Sequence, residues 1–299
     1  DEQIAIGKFL DWANGRLERA IRAKRKIIAL LNEQKQTIIH RAVTRGLDTN
    51  VKLKPSGIPW LGDIPEHWEV RKLRTLFRLQ GSGTTPNGDH FYGGSTNWAM
   101  SGDLNDAVIY RTKRSVQKVA LETYSTLKLY PAGSLVVAMY GATIGKTAVL
   151  GEPACTNQAC CVLAQPVPTA KVRFIQLLVQ TAKPHLVSEA YGGGQPNINA
   201  EVVRSLRIGL PLVDEQVRIL ESVEGTTGQL DTAISRIERE ISLLREYRTR
   251  LVADVVTGKL DVREAAKGLP DEIEPAIADS ADSSESPEDE EETAVVEPA

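Results

Sequence analysis

The seven residues Gly141-Ala142-Thr143-Ile144-Gly145-Lys146-Thr147 carry the chain's clearest suggestion of phosphate chemistry. A glycine-rich turn followed by a lysine can cradle a phosphate. The nucleotide-binding form needs four residues between its glycines, however, and here only Ala142 to Ile144 intervene, with Tyr140 ahead of them. The segment reads either as a tight turn with exposed amides that brings Lys146 to a DNA phosphate or as a purely structural turn. A second group, Gly192-Gly193-Gly194-Gln195-Pro196-Asn197, is a flexible loop carrying two amide side chains. Gln195 and Asn197 can make paired contacts with adenine in the major groove, or the loop is a simple connector. Tyr92, Asn97, Trp98 and the basic set Arg111, Lys113 and Arg114 have similar standing. Arginine can pair with guanine and any of the three cations can bind phosphate, while Trp98 reads first as a core residue.

Catalytic and metal-binding patterns are absent from the sequence. His40, His67, His90 and His185 are scattered, with no metal-ligand spacing to a cysteine or carboxylate. There is no Gly-x-Ser-x-Gly elbow and no convincing nucleophile–base pair. No cofactor is expected. Cys155, Cys160 and Cys161 fit no zinc pattern and read as buried, reduced thiols in strands, which suggests a cytoplasmic setting. Glu238 and Glu240 read as the solvated face of a helix.

The net charge of −3 over 299 residues hides a strong asymmetry. From Asp271 to the end there are 12 acidic residues and no basic one, so the remainder carries 36 basic against 27 acidic residues, a net of +9. A basic body suits a nucleic-acid partner, because phosphate contacts supply most of the affinity. No apolar run reaches membrane-spanning length and the first residues do not form a signal peptide. The chain begins at Asp1 in what reads as mid-element, so a preceding segment is expected.

These residues need a scaffold, and an internal repeat supplies it. Asp1-Glu2-Gln3-Ile4 recurs as Asp214-Glu215-Gln216-Val217, and the match runs without a gap to Leu47-Asp48 and Leu260-Asp261 at a constant offset of 213. About a third of the positions are identical, which marks a duplication. Apolar residues step alternately by four and three. The first seam is Leu17, Ile21, Lys24, Ile28, Leu31, Lys35, Ile38, Ala42; the second is Leu230, Ile234, Ile237, Ile241, Leu244, Arg248, Leu251, Val255. This is coiled-coil spacing, with a basic residue, Lys35 or Arg248, in each seam. A helix of roughly 30 residues would span about 45 Å, longer than a turn of B-DNA at about 34–36 Å, and could act as a spacer between DNA-reading modules. Between the copies, residues 49–213 hold 17 basic and 10 acidic residues. Short β-rich runs at 68–70, 107–110, 134–139 and 160–164 and a helix over 170–181 predict a mixed domain with long loops. The expected division is 1–48 helical spacer, 49–213 recognition domain, 214–269 helical spacer and 270–299 an acidic, unstructured tail.

With the motifs in order, the chain resembles the specificity subunit of type I restriction-modification enzymes. The segments that carry the resemblance are Ser56-Gly57-Ile58-Pro59-Trp60-Leu61-Gly62-Asp63-Ile64-Pro65-Glu66-His67-Trp68-Glu69-Val70, Thr84-Thr85-Pro86-Asn87, Phe91-Tyr92-Gly93-Gly94, Trp98 with Gly102-Asp103-Leu104, Gly133 to Val137, Gly141 to Thr147, Asn157-Gln158, Gly192 to Asn199, and Leu210-Pro211-Leu212 before the second helix. They cover about residues 1–269 and correspond to the C-terminal portion of such a subunit: helix, recognition domain, helix. The resemblance implies an α+β fold, a mixed α/β target-recognition domain flanked by two long helices that form an antiparallel coiled coil. It implies a non-catalytic subunit that reads one half of a bipartite DNA target through loops bearing Thr84, Thr85, Asn87, Tyr92, Asn97, Arg111, Lys113, Arg114, Tyr140, Lys146, Gln195 and Asn197. The helices, through Leu17, Ile21, Ile28, Leu31, Ile38, Leu230, Ile234, Ile241, Leu244 and Leu251, would pair with each other and dock a methyltransferase subunit. That partner would supply S-adenosylmethionine chemistry, and a motor-nuclease subunit would supply cleavage. The competing readings are a coiled-coil scaffold with no DNA role, and a self-contained nuclease or methylase, which the missing motifs disfavour.

Overall fold

A computed structural model describes residues 2–192 and 196–270. Gln195 and the acidic stretch from 271 onward lie outside the described residues. The fold is mixed. Helix α1 (Glu2–Arg45) leads into short strands β1 (Leu53–Pro55), β2 (Asp63–Pro65) and β3 (Glu69–Lys72), then β4 (Phe77–Ser82), β5 (Tyr92–Ala99), β6 (Val108–Ile109), β7 (Arg114–Val116) and helix α2 (Lys118–Thr123). Strands β8 (Leu135–Ala138), β9 (Thr147–Leu150), β10 (Ala154–Thr156) and β11 (Cys160–Pro166) follow, then helices α3 (Val172–Thr181), α4 (Lys183–Ser188) and α5 (Ala200–Ser205), strand β12 (Arg207–Leu210), helix α6 (Val213–Val256) and helix α7 (Arg263–Lys267). No helix among the described residues is long and apolar enough to cross a membrane.

The chain separates into two compact units, Leu31–Thr232 and the pair Asp1–Leu30 with Ala233–Ala299. In the first, a five-stranded sheet has the order β4-β11-β8-β9-β6, antiparallel except for the parallel pairing of β6 with β9. Both faces of this sheet are covered. Leu135, Val137, Cys161 and Leu163 pack with Phe174, Ile175 and Leu178 of α3, whereas Val136, Ala138, Cys160 and Val162 pack with Tyr130 and Ala148 on the opposite face. Two-sided burial explains why these strands read as unbroken apolar runs instead of alternating ones. It also directs the adjacent Cys160 and Cys161 to opposite faces, and all three cysteines are buried and free. Burial pushes the Cys155 and Cys161 thiols up to about 12.

A smaller sheet, β10-β5-β7, has β5 at its centre, parallel to β10 and antiparallel to β7. The residues Tyr92 to Trp98, expected as loop, are therefore mostly strand. The octet Tyr92-Gly-Gly-Ser-Thr-Asn-Trp-Ala99 lacks an apolar alternation; its strand character comes from pairing along both edges. Gly94 allows this pairing, since a Cβ there would lie 2.2 Å from the Val116 carbonyl oxygen.

Within the same unit, the second copy of the repeat is anchored to the core beneath the five-stranded sheet. Gln216 is fully buried: its Nε2 donates to the carbonyls of Thr169 and Pro211, both at 2.9 Å, and its Oε1 accepts from the Lys171 amide at 2.9 Å. Glu215 accepts from Trp68 Nε1 at 3.1 Å and pairs with His67 Nε2 at 2.9 Å. Trp68 is buried edge-on to Phe174, which ties α6 to the domain core. Ile39, Ala42 and Val43 of α1 share that core with Ile219 and Val223 of α6.

Helices α1 and α6 are 44 residues each, about 66 Å at 1.5 Å per residue, longer than the seam alone suggested. Ile21, Ile234, Ile241 and Leu251 are buried, while Leu17, Ile28, Leu31, Ile38, Leu230 and Leu244 are half-buried. Off the seam, Leu30 and Leu243 are 55% and 58% exposed. In the unit containing residues 2–30, Glu18 pairs with Arg248 at 3.4 Å and Lys24 with Glu240 at 2.6 Å, so the helices run antiparallel there. Ala13 packs against Leu251, Val255 and Val262 at the end of that unit. In the other unit, Lys35 pairs with Asp231 at 2.6 Å. Glu18 and Asp231 are equivalent positions of the repeat, and so are Lys35 and Arg248. The seam basics thus meet acids placed by the same duplication. Glu240, which read as solvated helix face, is the partner of Lys24.

Candidate nucleic-acid interface

The candidate surface is built from loops stitched together by backbone hydrogen bonds. On the small sheet, the Arg114 guanidinium carbon lies 4.1 Å over the Tyr92 ring and 5.8 Å from the Trp98 ring centre. The two rings meet edge-on at 5.4 Å. Each is fixed by its polar end: Tyr92 donates its hydroxyl to the Pro86 carbonyl at 2.7 Å, and Trp98 Nε1 donates to the Thr84 carbonyl at 3.2 Å. Burial raises the Tyr92 hydroxyl's pKa against the opposing pull of Arg114, so the phenol stays neutral. Thr112 accepts from the Trp98 amide at 3.1 Å and donates to the Arg114 carbonyl at 2.6 Å, which fixes the start of β7. Trp98, 1% exposed, is a core residue as its type suggested.

The Thr84–Asn87 segment is held on two sides. Thr85 donates to Gln158 Oε1 at 2.7 Å, and the Asn87 amide donates to the Tyr124 hydroxyl at 2.9 Å, leaving the Asn87 side chain exposed. Gly83 packs against β10 so closely that a Cβ would lie 1.6 Å from the Thr156 carbonyl oxygen. The neighbouring segment Asn157-Gln158-Ala159 joins this strip to a second one. The Met139 amide donates to the Ala159 carbonyl at 2.8 Å and the Ile198 amide to the Met139 carbonyl at 2.9 Å. Asn197 exchanges backbone hydrogen bonds with Tyr191 at 2.9 and 3.0 Å and bridges to Tyr140. The Tyr140 and Tyr191 side chains are exposed beside it.

The structure therefore brings Thr84, Thr85, Tyr92 and Arg114 together on one strip, and Tyr140 and Asn197 on the next. Asn97 plays a different part, since its Nδ2 donates to the Tyr110 carbonyl at 3.2 Å within the fold. Arg111 and Lys113 sit on the connection into β7 with exposed side chains; the Lys113 backbone is pinned by its amide to Asp103 at 3.1 Å. Lys146 ends the glycine turn. Four of that turn's amides are already bonded within the fold: Gly141 donates to the Pro196 carbonyl, Ile144 to Gly141, Gly145 to Ala138 and Lys146 to Thr143. Positive φ values at Gly141 (58°) and Gly145 (76°) suit glycine at these two turn positions. Among the described residues, Arg111, Lys113, Arg114 and Lys146 have no carboxylate partner. Gln158, marked in sequence only within a segment of the resemblance, and Tyr191, which no sequence signal singled out, belong to this surface.

The sequence model for the type I restriction modification DNA specificity domain matches residues 65–241. The specificity subunit of type I restriction enzyme MjaVIII from Methanocaldococcus jannaschii is 24% identical over 272 residues, covering 88% of this chain and 61% of that protein. The MjaIX specificity subunit of the same organism is 26% identical over 165 residues, covering 53% of this chain and 38% of that protein. The chain thus spans about three fifths of the length of the longer-matching relative. Among solved structures, a chain from work on complex assembly and conformational transition of the type I R-M system superposes with a TM-score of 0.58 at 16% identity, covering 82% of this chain and 58% of that one. The HsdS subunit from Thermoanaerobacter tengcongensis gives 0.51 at 16% identity, covering 87% and 59%. These likenesses establish a shared fold, and with the match over 65–241, more than half of its residues, the chain belongs to the type I restriction modification DNA specificity domain family.

Proposed function

We infer that this chain is a non-catalytic, DNA-sequence-reading subunit acting in the cytoplasm. Residues 49–213 read one part of a split target in double-stranded DNA, and the repeat helices hold that reader and dock a methyltransferase subunit, with a motor-nuclease subunit completing the assembly. The observation that carries the reading is a set of cations, Arg111, Lys113, Arg114 and Lys146, without carboxylate partners among the described residues, borne on loops that are hydrogen-bonded to one another. Cations with no internal carboxylate remain available to phosphates, and tied loops fix the register that base reading requires. Family membership supports the same reading. A scaffold with no DNA role gains nothing from such a surface.

The test is a duplex-binding titration at several salt concentrations. If Arg111, Lys113 and Lys146 each neutralise one phosphate, they contribute a log–log salt slope of about −2.7, which is a loss of roughly 40-fold in affinity between about 50 and about 200 mM salt. Lys113→Ala or Lys146→Ala should each reduce the slope by about one. Salt-independent binding, or none, supports the scaffold instead.

A further inference from the structure

We propose that Arg114 is a base-reading residue and that it selects a guanine in the DNA target, with Tyr92 and Trp98 as its positioning residues. The inference rests on the DNA-reading function inferred above. Arg111, Lys113, Arg114 and Lys146, each without a carboxylate partner among the described residues, differ in one respect. Arg111, Lys113 and Arg114 are exposed and Lys146 is half-buried at a turn, but among the described residues only the Arg114 guanidinium of these four lies over aromatic rings, 4.1 Å from the Tyr92 centroid and 5.8 Å from that of Trp98. Both rings are themselves immobilised, by Pro86 and Thr84, and the Arg114 backbone is held by Thr112. A guanidinium carries its paired N–H donors at its rim, and the Arg114 side chain donates no hydrogen bond to a described residue while it lies over the Tyr92 ring. A freely rotating cation suits a phosphate, which accepts from many directions. A planar fork already held in place suits the O6/N7 pair of guanine, which accepts from only one. The Pro86 and Thr84 contacts also link the rings beneath the fork to the Thr84–Asn87 segment.

The experiment is selection of bound duplexes from a randomised library by the full chain and by Arg114→Ala, Arg114→Lys and Lys113→Ala, with salt slopes measured in parallel. The wild-type consensus is expected to contain a guanine that Arg114→Ala relaxes, with preference at that position falling about 5- to 150-fold and the other positions retained. Arg114→Lys keeps the charge and loses the planar fork, so it should weaken the same guanine at an unchanged salt slope; this variant decides the matter if Arg114→Ala folds poorly. Lys113→Ala should lower affinity evenly across sequences and leave the consensus intact. The proposal is overturned if Arg114→Ala behaves as Lys113→Ala does, or if no selected position changes. A wild-type chain that binds duplexes but selects no sequence overturns the DNA-reading function itself, and the proposal with it.

Discussion

Replacing Gln216 by alanine isolates the anchor between α6 and the recognition domain, and the duplication supplies its control. Gln216 makes three hydrogen bonds of 2.9 Å to main-chain groups of Thr169, Lys171 and Pro211, and its side chain is wholly buried. Truncation removes all three and strands the partners, of which the Pro211 carbonyl is the most enclosed. At about 1 kcal/mol for each bond, with a further penalty where water cannot replace the amide, the loss is about 2–4 kcal/mol. For a unit of this size that lowers the melting temperature by roughly 5–15 °C. Gln3, its counterpart in the first copy, is exposed, so Gln3→Ala should cost less than about 0.5 kcal/mol. Thermal unfolding followed by tryptophan fluorescence reports on this anchor directly, because Trp68 lies beside Glu215. Equal costs at positions 3 and 216 would refute the claim that the Asp-Glu-Gln motif of the second copy, and not that of the first, is the one bonded to the core.

The reciprocal seam pairs should set helix register without adding much stability. Lys35→Glu should cost about 1 kcal/mol, and combining it with Asp231→Lys should recover most of that; strictly additive costs in a double-mutant cycle would show that the pair does not interact. The buried thiols give a signed pH dependence. Folding holds Cys161 up to about 12 and raises Cys160 in the same direction, against 9.0 for an ordinary cysteine. Above about pH 9 the unfolded chain therefore binds fewer protons than the folded one. Stability contributed by the neutral thiols is intact below that pH and falls as pH rises, by up to about 1.4 kcal/mol per unit for each thiol. Urea midpoints between about pH 8 and about pH 10 should drop less in Cys161→Val than in wild type, and identical slopes would contradict the assignment.

How much of this was legible in the sequence follows from the range of the interactions. The seam was legible because Ile21, Ile234, Ile241 and Leu251 obey a local period that burial then respects, and β8 and β11 because two-sided burial writes a continuous apolar run. Strand β5 was not, because its partners Arg114–Val116 and Ala154–Thr156 lie far along the chain and its own residues carry no pattern. The glycine turn was recognised, but only three dimensions show that its amides are already bonded to Ala138, Thr143 and Pro196. The Asp-Glu-Gln motif was visible as a repeat, yet nothing local distinguishes Gln216, which is buried, from Gln3, which is exposed. Arg114 was one of three neighbouring cations in sequence; its seat on Tyr92 depends on a cross-strand fold of the chain.

The central claim is that residues 49–213 determine which bases are read. Its most direct test is methylome sequencing of cells co-expressing the chain, joined to any preceding segment encoded with it, and the methyltransferase subunit proposed as its partner, before and after exchanging residues 49–213 for those of another family member. The expected result is a two-part methylated motif in which the exchange rewrites one part and leaves the other part and the spacing between them unchanged. Methylation at the same motif after the exchange would contradict it.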